Sequence, residues 1–266
     1  MTIDTSIIIS TYNSPDWLAK VLFGYNNQSY RQFEIVIADD GSKQETFDLI
    51  ETIKKEVFYP IVHVWHEDNG FQKASILNKA IAQAKGDYII QADGDCILHP
   101  YFVKDHFDMA KENTYVFGSR VNILEEALDS VFKQQKTNFS AFSKGIKNRT
   151  RALRIPFLSR FYKPETTISR KFRGCNTSFF KKDFIAVNGY DENFKGWGRE
   201  DSELMTRFHN NGILAQRIRY RGIVYHIFHN IKSKDQLEKN NDIENLTVKN
   251  KLKRCSKGIN TYLNEA

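Results

Sequence analysis

The amino-acid sequence predicts an α/β fold with a mainly parallel sheet flanked by helices. Short apolar runs rich in Ile and Val alternate with helix-like segments through the first 120 of the 266 residues. Such alternation is typical of βαβ units, in which each strand is followed by a helix that packs on the sheet. Polar clusters also follow three of the apolar runs, where parallel sheets commonly bind ligands.

The first half of the chain reads as strands and helices in turn. Strands are predicted over residues 6–10, 33–38, 61–66, 88–92 and 115–118, and helices over residues 15–24, 45–56, 74–84 and 100–111. The first helix has the clearest start, because Ser14 is a good N-cap and Pro15 fits the first helical position.

The alternation stops after residue 120, and three further segments follow. Residues 121–172 form a basic, aromatic insert that reads as helical or irregular. Residues 173–229 form a second half of the domain, with a helix over residues 201–211 and a strand over residues 221–228. Residues 230–266 form a polar tail that is helical in part.

Composition narrows the class of protein. Hydrophobic residues make up 41% of the chain, enough for a large core, which argues against disorder. The longest aliphatic run, 7–9, is far shorter than the ~20 apolar residues of a membrane span. The beginning MTIDTSIIIS has no basic region of a secretory signal. Three widely spaced cysteines do not indicate a disulfide framework. We therefore expect a reducing, cytoplasmic protein.

The net charge of +7 is unevenly spread. Residues 131–173 contain twelve lysines and arginines and one acid, Glu165. Such a segment can bind nucleic acid, anionic lipid or a phosphorylated substrate, or it can be a solvated charged face.

The segment Asp93-Gly94-Asp95 directly follows a predicted buried strand. Alone it would be an ordinary turn. However, Thr11-Tyr12-Asn13 and Asp39-Asp40-Gly41-Ser42 also follow strands, and the carboxyl ends of parallel strands meet at one edge of a sheet. Carboxylates gathered there indicate a bound cation or ligand.

These residues resemble the nucleotide-diphospho-sugar glycosyltransferases with the Rossmann-like GT-A fold, and glycosyltransferase family 2 most of all. The segment 69–78 is similar to the family's Gly- and Arg-containing stretch, with Lys73 where Arg is common. Gly-Trp-Gly-Arg-Glu-Asp, residues 196–201, looks like the C-terminal region shared by β-1,4-galactosyltransferases and chondroitin-type polymerases. The resemblance covers residues 4–120 and 173–229, and GWGxED is its most specific motif.

The resemblance implies a nucleotide-sugar-binding half, residues 1–120, and an acceptor and catalytic half, residues 173–229. Tyr12 would stack on the base of a UDP-sugar, and Asp39 would hydrogen-bond the uracil or ribose, whereas Asp40 could instead cap its turn. The donor contacts it implies come from Thr11, Tyr12, Asn13, Asp39, Asn69, Lys73, Asp93, Gly94 and Trp197.

The leaving diphosphate gains negative charge, which a divalent cation stabilises. Asp95 is the expected carboxylate ligand, with a histidine from the last strand. His226 is the first choice, because His229 would face the other way on an ideal strand; either could instead be structural. Hard oxygen ligands suit Mn²⁺ or Mg²⁺, and imidazole favours Mn²⁺.

Asp201 is the expected catalytic base, at a helix start where the dipole would keep its carboxylate ionised. Glu200 would bind acceptor or donor hydroxyls, although both acids could simply begin a helix. Trp197 offers a flat face to a sugar ring, whereas Trp17 and Trp65 are assigned to the core.

We therefore expect an inverting, metal-dependent glycosyltransferase. It would move a hexose or N-acetylhexosamine from a UDP-sugar to a hydroxyl of a glycan or lipid-linked acceptor in surface polysaccharide or lipopolysaccharide synthesis. A nucleotidyltransferase would usually show a Gly-rich phosphate loop with Arg or Lys, which STYNSPDW lacks. A nucleic-acid-binding protein would leave the acids unexplained, so no nucleic-acid partner is expected.

The basic insert carries interleaved aromatic residues, including Phe139, Phe142, Phe157 and Phe161. Basic and aromatic residues together suit the interface of an anionic membrane. We expect the insert to dock the enzyme peripherally on the inner face of the membrane and to border the acceptor site.

Overall fold

The computed structural model describes residues 4–133, 139–229 and 233–263. Its strands are β1 (Thr5–Thr11), β2 (Phe33–Asp39), β3 (Ile61–Trp65), β4 (Tyr88–Asp93), β5 (Cys96–Leu98), β6 (Thr114–Phe117), β7 (Arg120–Ile123), β8 (Ile146–Lys147), β9 (Asn176–Phe180), β10 (Leu214–Arg217) and β11 (Val224–His226). Its α-helices are α1 (Pro15–Tyr25), α2 (Gln44–Ile53), α3 (Lys73–Gln83), α4 (Phe102–Phe107), α5 (Leu128–Phe132), α6 (Pro156–Ser159), α7 (Lys181–Ala186), α8 (Glu200–Asn210) and α9 (Leu237–Asn250). Short 3₁₀ turns occupy Glu125–Ala127, Arg149–Ala152 and Ile259–Thr261.

The larger sheet has the strand order β10-β6-β9-β4-β1-β2-β3. Strand β1 runs parallel to β2 and β4, β2 runs parallel to β3, and β10 runs parallel to β6. Only β9 runs against its neighbours in the larger sheet. The predicted mainly parallel α/β sheet is therefore confirmed.

Both faces of the larger sheet are buried. Ile7 and Ile9 of β1 pack into one core cluster and Ile8 packs into the other, as the period of two in a strand requires. This explains why the strands read as continuous apolar runs rather than as alternating ones.

The elements predicted for the first 120 residues are present, although α4 ends at Phe107 rather than near residue 111. The insert differs from the expectation of helical or irregular structure, because it supplies β8 and most of β7. These strands have four residues or fewer, too short for a periodic pattern to be visible in the sequence.

The smaller sheet has the order β5-β11-β7-β8, so the insert and the second half of the chain share it. Its core includes Val121, Tyr225, Phe139 and Ile146. Phe139 therefore does not belong to the exposed aromatic surface expected of the insert. It is buried against Tyr225, with ring centroids 5.0 Å apart.

Strand register brings the polar clusters together at one edge of the larger sheet. Ser10 of β1 lies opposite Asp93 of β4, and Thr11 lies opposite Asp39 of β2. The expectation that the three clusters converge is met by this alignment of strand ends.

A buried ion pair anchors α8 in the second half. Arg207, which is fully buried, donates to both carboxylate oxygens of Glu203, at 2.6 and 2.7 Å, and to the carbonyls of Val187 and Gly189. Thr247 of α9 donates to the same Glu203 carboxylate at 2.9 Å. The pair thus ties α8, α9 and the segment after α7 together.

Glu203→Ala should destabilise the fold by about 3–5 kcal/mol, because it leaves the guanidinium buried without its counter-charge. Urea unfolding followed by circular dichroism measures this. The matched control is Glu112→Ala, which removes an exposed pair to Lys182 of the same 2.6 Å length and should change stability far less. Equal changes in the two variants would contradict the assignment.

Candidate active site

A cavity of about 640 Å³ opens at the edge of the larger sheet where the polar clusters converge. The residues expected to bind donor or metal, or to act in catalysis, line it, apart from Asp39 and Asn69. The two halves of the chain therefore contribute to one site.

Asp93 and Lys73 form the inner wall of the cavity. One carboxylate oxygen of Asp93 accepts hydrogen bonds from the Ser10 hydroxyl at 2.7 Å and from the Lys73 ammonium at 2.9 Å. Burial alone would lower the pKa of Lys73. The charges of Asp93, Asp201 and Glu200 outweigh it and hold the pKa well above its ordinary value. Lys73 is thus a permanent cation among three carboxylates.

Asp95, His226 and His229 form a group that could hold a metal ion. The Nε2 atoms of His226 and His229 lie 3.5 and 3.3 Å from the same carboxylate oxygen of Asp95. One ligand atom from each residue lies within 4.8 Å of the others. Both histidines reach Asp95 because β11 ends at His226, so the alternation expected of an ideal strand does not apply to His229.

The donor set of this group fits a divalent cation. The neighbouring imidazoles lower the pKa of Asp95 to about 2 despite its burial, so the carboxylate is ionised. Burial lowers the pKa of His226, which favours the neutral imidazole that binds metals. One carboxylate with two imidazoles suits Mn²⁺ better than Mg²⁺.

Glu200 and Asp201 begin α8 and face the same cavity. Burial, with the adjacent charge of Asp201, raises the pKa of Glu200 to about 7. Burial also raises the pKa of Asp201. This direction is opposite to the one expected from the helix dipole, because removal from water favours the neutral carboxyl group.

Asp201 is held in place by close contacts. The Tyr190 hydroxyl lies 3.1 Å from Asp201 Oδ1 and 2.8 Å from Gln91 Oε1. Gly174 packs so closely against the carboxylate that a Cβ at residue 174 would overlap it. The Glu200 carboxylate differs from that of Asp201, since its Oε2 atom is buried without a hydrogen-bond partner among the described residues. A hydroxyl of a bound sugar would supply that partner.

The first loop and Trp197 both line the cavity. Tyr12 is 42% exposed and donates from its hydroxyl to Asp68 at 2.9 Å, so one ring face remains available. Thr11, Asn13 and Gly94 line the same side. Trp197 is also 42% exposed.

Asp39 and Asn69 lie outside the cavity lining. Asp39 is buried, and its carboxylate accepts from His63 at 2.9 Å and from the Ser42 amide at 2.8 Å. Its neighbour Asp40 lines the cavity and accepts from His66 and from the Gln72 amide. Asp40 thus joins the second loop to the start of α3.

Several cavity residues were missed from the sequence. Arg120 and Arg173 line the cavity, and no motif marks them. The assignment to the core was wrong for Trp65, whereas Trp17 is partly buried against a core cluster and also lines the cavity. Trp17 lines the cavity beside His229, with ring centroids 6.0 Å apart. Trp65 ends β3, is 52% exposed and donates to the Ser42 carbonyl.

Family comparison covers most of the chain. The family model described as "Glycosyl transferase family 2" matches residues 6–176, and that described as "N-terminal domain of galactosyltransferase" matches residues 159–230. The second match spans the GWGRED segment.

Curated relatives include two synthases of much greater length. Chondroitin synthase of Escherichia coli is 27% identical over 223 residues, covering 78% of this chain and 32% of the relative. Hyaluronan synthase of Pasteurella multocida is 28% identical over 232 residues, covering 80% of this chain and 23% of the relative. The chain thus spans about a third or less of these two relatives.

Solved structures share the fold at low identity. S. aureus TarS 1–349 in complex with UDP-GlcNAc has a TM-score of 0.64 at 15% identity, covering 99% of this chain and 71% of that one. The mannosyltransferase PcManGT from Pyrobaculum calidifontis, in complex with GDP-Man and Mn²⁺, has a TM-score of 0.56 at 17% identity, covering 85% and 57%. The architecture is the GT-A fold, and since the first family model spans more than half of the sequence, the chain belongs to glycosyltransferase family 2.

Proposed function

We propose that this glycosyltransferase moves a hexose or N-acetylhexosamine from a UDP-sugar to a hydroxyl of a glycan or lipid-linked acceptor, with inversion, in surface polysaccharide or lipopolysaccharide synthesis. One observation carries the proposal. The possible metal ligands Asp95, His226 and His229 and the acids Glu200 and Asp201 all line one cavity. Sugar transfer from a nucleoside diphosphate needs both groups at once.

The comparisons support the donor and product classes. Two relatives are named as synthases of chondroitin and hyaluronan. A structure with the same fold holds UDP-GlcNAc. Family membership also favours sugar transfer over the nucleotidyltransferase alternative.

Asp201 would accept the proton of the attacking hydroxyl as the bond to the anomeric carbon forms. Its contacts with Tyr190 and Gly174 fix the carboxylate in one orientation. Glu200 would accept a hydrogen bond from a sugar hydroxyl through its unpartnered oxygen. Attack on the face opposite the leaving diphosphate inverts the anomeric centre, so an α-linked donor gives a β-glycoside.

Asp95, His226 and His229 would hold Mn²⁺, or Mg²⁺, in this chain. When bound, such an ion acts as a Lewis acid that stabilises charge on the leaving diphosphate. Asp93 would contact the ribose or a metal-bound water, and Lys73 fixes its orientation. Tyr12 would stack on the uracil, with Thr11, Asn13 and Gly94 around it.

The insert carries the proposed contact with the membrane. None of the described helices combines the length and apolar character needed to cross a bilayer. Phe142, Phe157 and Phe161 are 89%, 55% and 68% exposed, and basic residues surround them. Exposed aromatics with basic neighbours suit peripheral binding to an anionic leaflet.

Asp95→Asn should lower metal-dependent release of UDP from a UDP-sugar by about 100-fold or more, because it removes the carboxylate ligand of the cation. The assay compares a panel of UDP-sugars with Mn²⁺ and with EDTA. Asp87→Asn, an exposed acid just before β4, serves as the control and should release UDP normally. Equal release by Asp95→Asn and wild type would remove Asp95 from the metal site.

Asp201→Asn should lower kcat by about 10²- to 10⁴-fold and leave UDP binding intact, since it removes the base but not the donor contacts. The control is Glu45→Gln, which changes an exposed first-turn acid of α2. Loss of UDP binding together with kcat would instead indicate a role in donor binding.

The pH dependence of wild-type kcat offers a second test of the same acids. Burial raises the pKa of Glu200 to about 7, so its contact with a sugar hydroxyl weakens first as pH drops. Burial also raises the pKa of Asp201, which must be ionised to act as the base, above its ordinary value. The rate should therefore fall as pH drops below about 7. Lys73→Met should move this fall to higher pH, because Lys73 favours the ionised form of both acids. A profile that is flat down to pH 5 would contradict the assignment.

Substitution of Phe142, Phe157 and Phe161 by Ser should abolish co-flotation with phosphatidylglycerol vesicles, because each ring contributes apolar area at the interface. This triple variant is preferable to deletion of the insert, whose Ile146 belongs to the core. Phe23, Phe47 and Phe58 are exposed aromatics outside the insert, and their triple Ser variant is the control. Flotation unaffected by either variant would exclude the aromatic surface as the membrane contact.

A further inference from the structure

Five arginines lie at the mouth of the cavity and on the surface beside it. This arginine cluster consists of Arg120, Arg151, Arg173, Arg217 and Arg219. Arg120 and Arg173 line the cavity itself. All five are partly or fully exposed, so an incoming molecule can reach them.

Backbone contacts hold the cluster together. Arg151 donates to the Arg120 carbonyl at 3.0 Å, and Arg219 donates to the Thr150 carbonyl at 2.8 Å. Arg217 donates to the Ser119 hydroxyl at 3.3 Å. Arg151 is therefore linked to residue 120, and Arg217 and Arg219 of one further stretch are linked to residues 119 and 150.

These contacts use only part of the hydrogen-bond donors that the guanidinium groups of the cluster carry. Each guanidinium carries five N–H donors. The Nε of Arg217 and the Nη1 of Arg219 are buried without a hydrogen-bond partner among the described residues. Buried donors without a partner are costly, so the protein alone leaves these two guanidinium groups incompletely satisfied.

The counter-charge near the cluster is weak, because Glu165 acts to raise the pKa of Arg217 without forming an ion pair with it. Within the described ranges, none of the five arginines forms an ion pair, whereas nearby Arg154 and Arg221 pair with Asp105. Burial lowers the pKa of Arg151 and Arg217, and the charges of neighbouring arginines lower both further. Concentrated positive charge of this kind is stabilised by an anion.

We propose that the arginine cluster binds an anionic group of the acceptor, a phosphate or a carboxylate, and so selects a negatively charged glycan. This inference rests on the proposed function, because that function includes an acceptor. It adds the chemical class of the acceptor. Guanidinium groups suit this chemistry because their planar N–H pairs match the oxygens of phosphate and carboxylate. The donor diphosphate is a different ligand, which under the proposed function would be held with the cation at Asp95, His226 and His229.

The test measures binding of small anions by saturation-transfer NMR, with UDP and Mg²⁺ present so that the donor site is filled. Glycerol 1-phosphate and glucuronate are compared with their neutral counterparts, glycerol and glucose. Wild type should bind the anionic probes and not the neutral ones. This comparison needs no variant, so it tests the proposal whatever the stability of any substitution.

Arg151→Gln with Arg219→Gln should weaken binding of the anionic probes by about tenfold or more, as expected for loss of charged hydrogen bonds. The control carries the same change of charge at Arg31→Gln and Arg254→Gln, exposed arginines outside the cavity lining. Equal weakening in both double variants would mean that the change of net charge alone explains the weaker binding, which would overturn the proposal.

Phosphatidylglycerol vesicles distinguish a lipid headgroup from an acceptor group. Vesicle binding that depends on Arg151 and Arg219, without binding of the soluble anions, would overturn the proposal in favour of a membrane contact. UDP binding is measured on the same samples. If UDP binds but the anionic probes bind no better than the neutral ones, this inference fails and the proposed function stands. If UDP does not bind, the proposed function fails instead.

Discussion

The ammonium group of Lys73 is the constraint on which the site depends. Asp93, Glu200 and Asp201 share one largely buried wall, and their mutual repulsion would otherwise favour protonation of at least one of them. Lys73 opens α3, whose start is fixed by the contact between Asp40 and the Gln72 amide. The first half of the chain thus supplies the cation that lets the second half place acids at the cavity.

The C-terminal segment has a structural role that its polar composition conceals. Asn240 of α9 donates to the carbonyls of Lys195 and Gly198, on both sides of Trp197. Gly196 and Gly198 have φ values of +67° and +106°, a conformation that side chains rarely adopt. The GWG loop therefore depends on glycine for its backbone and on α9 for its position, and Glu200 and Asp201 follow directly from it.

The sequence was sufficient where local pattern decides structure. Apolar runs that alternate with helix-like segments marked the first half of the fold, and strand ends marked most of the cavity. The sequence was insufficient to predict the short strands and side-chain positions that tertiary packing decides. The three- and four-residue strands β5 and β7 have no readable period, and Arg120 and Arg173 belong to no motif. His229 reaches Asp95 only because β11 ends early, and Asp39 turns away from the cavity because His63 and Ser42 satisfy it. Neither outcome can be derived from spacing along the chain.

Charge is distributed unequally across the cavity, and this asymmetry can sort ligands. Asp93, Glu200 and Asp201 line the cavity together with Arg120 and Arg173, and the other arginines of the cluster lie outside the lining. A diphosphate carries its own divalent cation, so the complex is close to neutral and can rest against acids without strong repulsion. An anion without such a cation is repelled by the same acids and attracted by the arginines. Under the proposed function, two negatively charged substrates could therefore be distinguished within one cavity, because only one of them arrives with its charge neutralised.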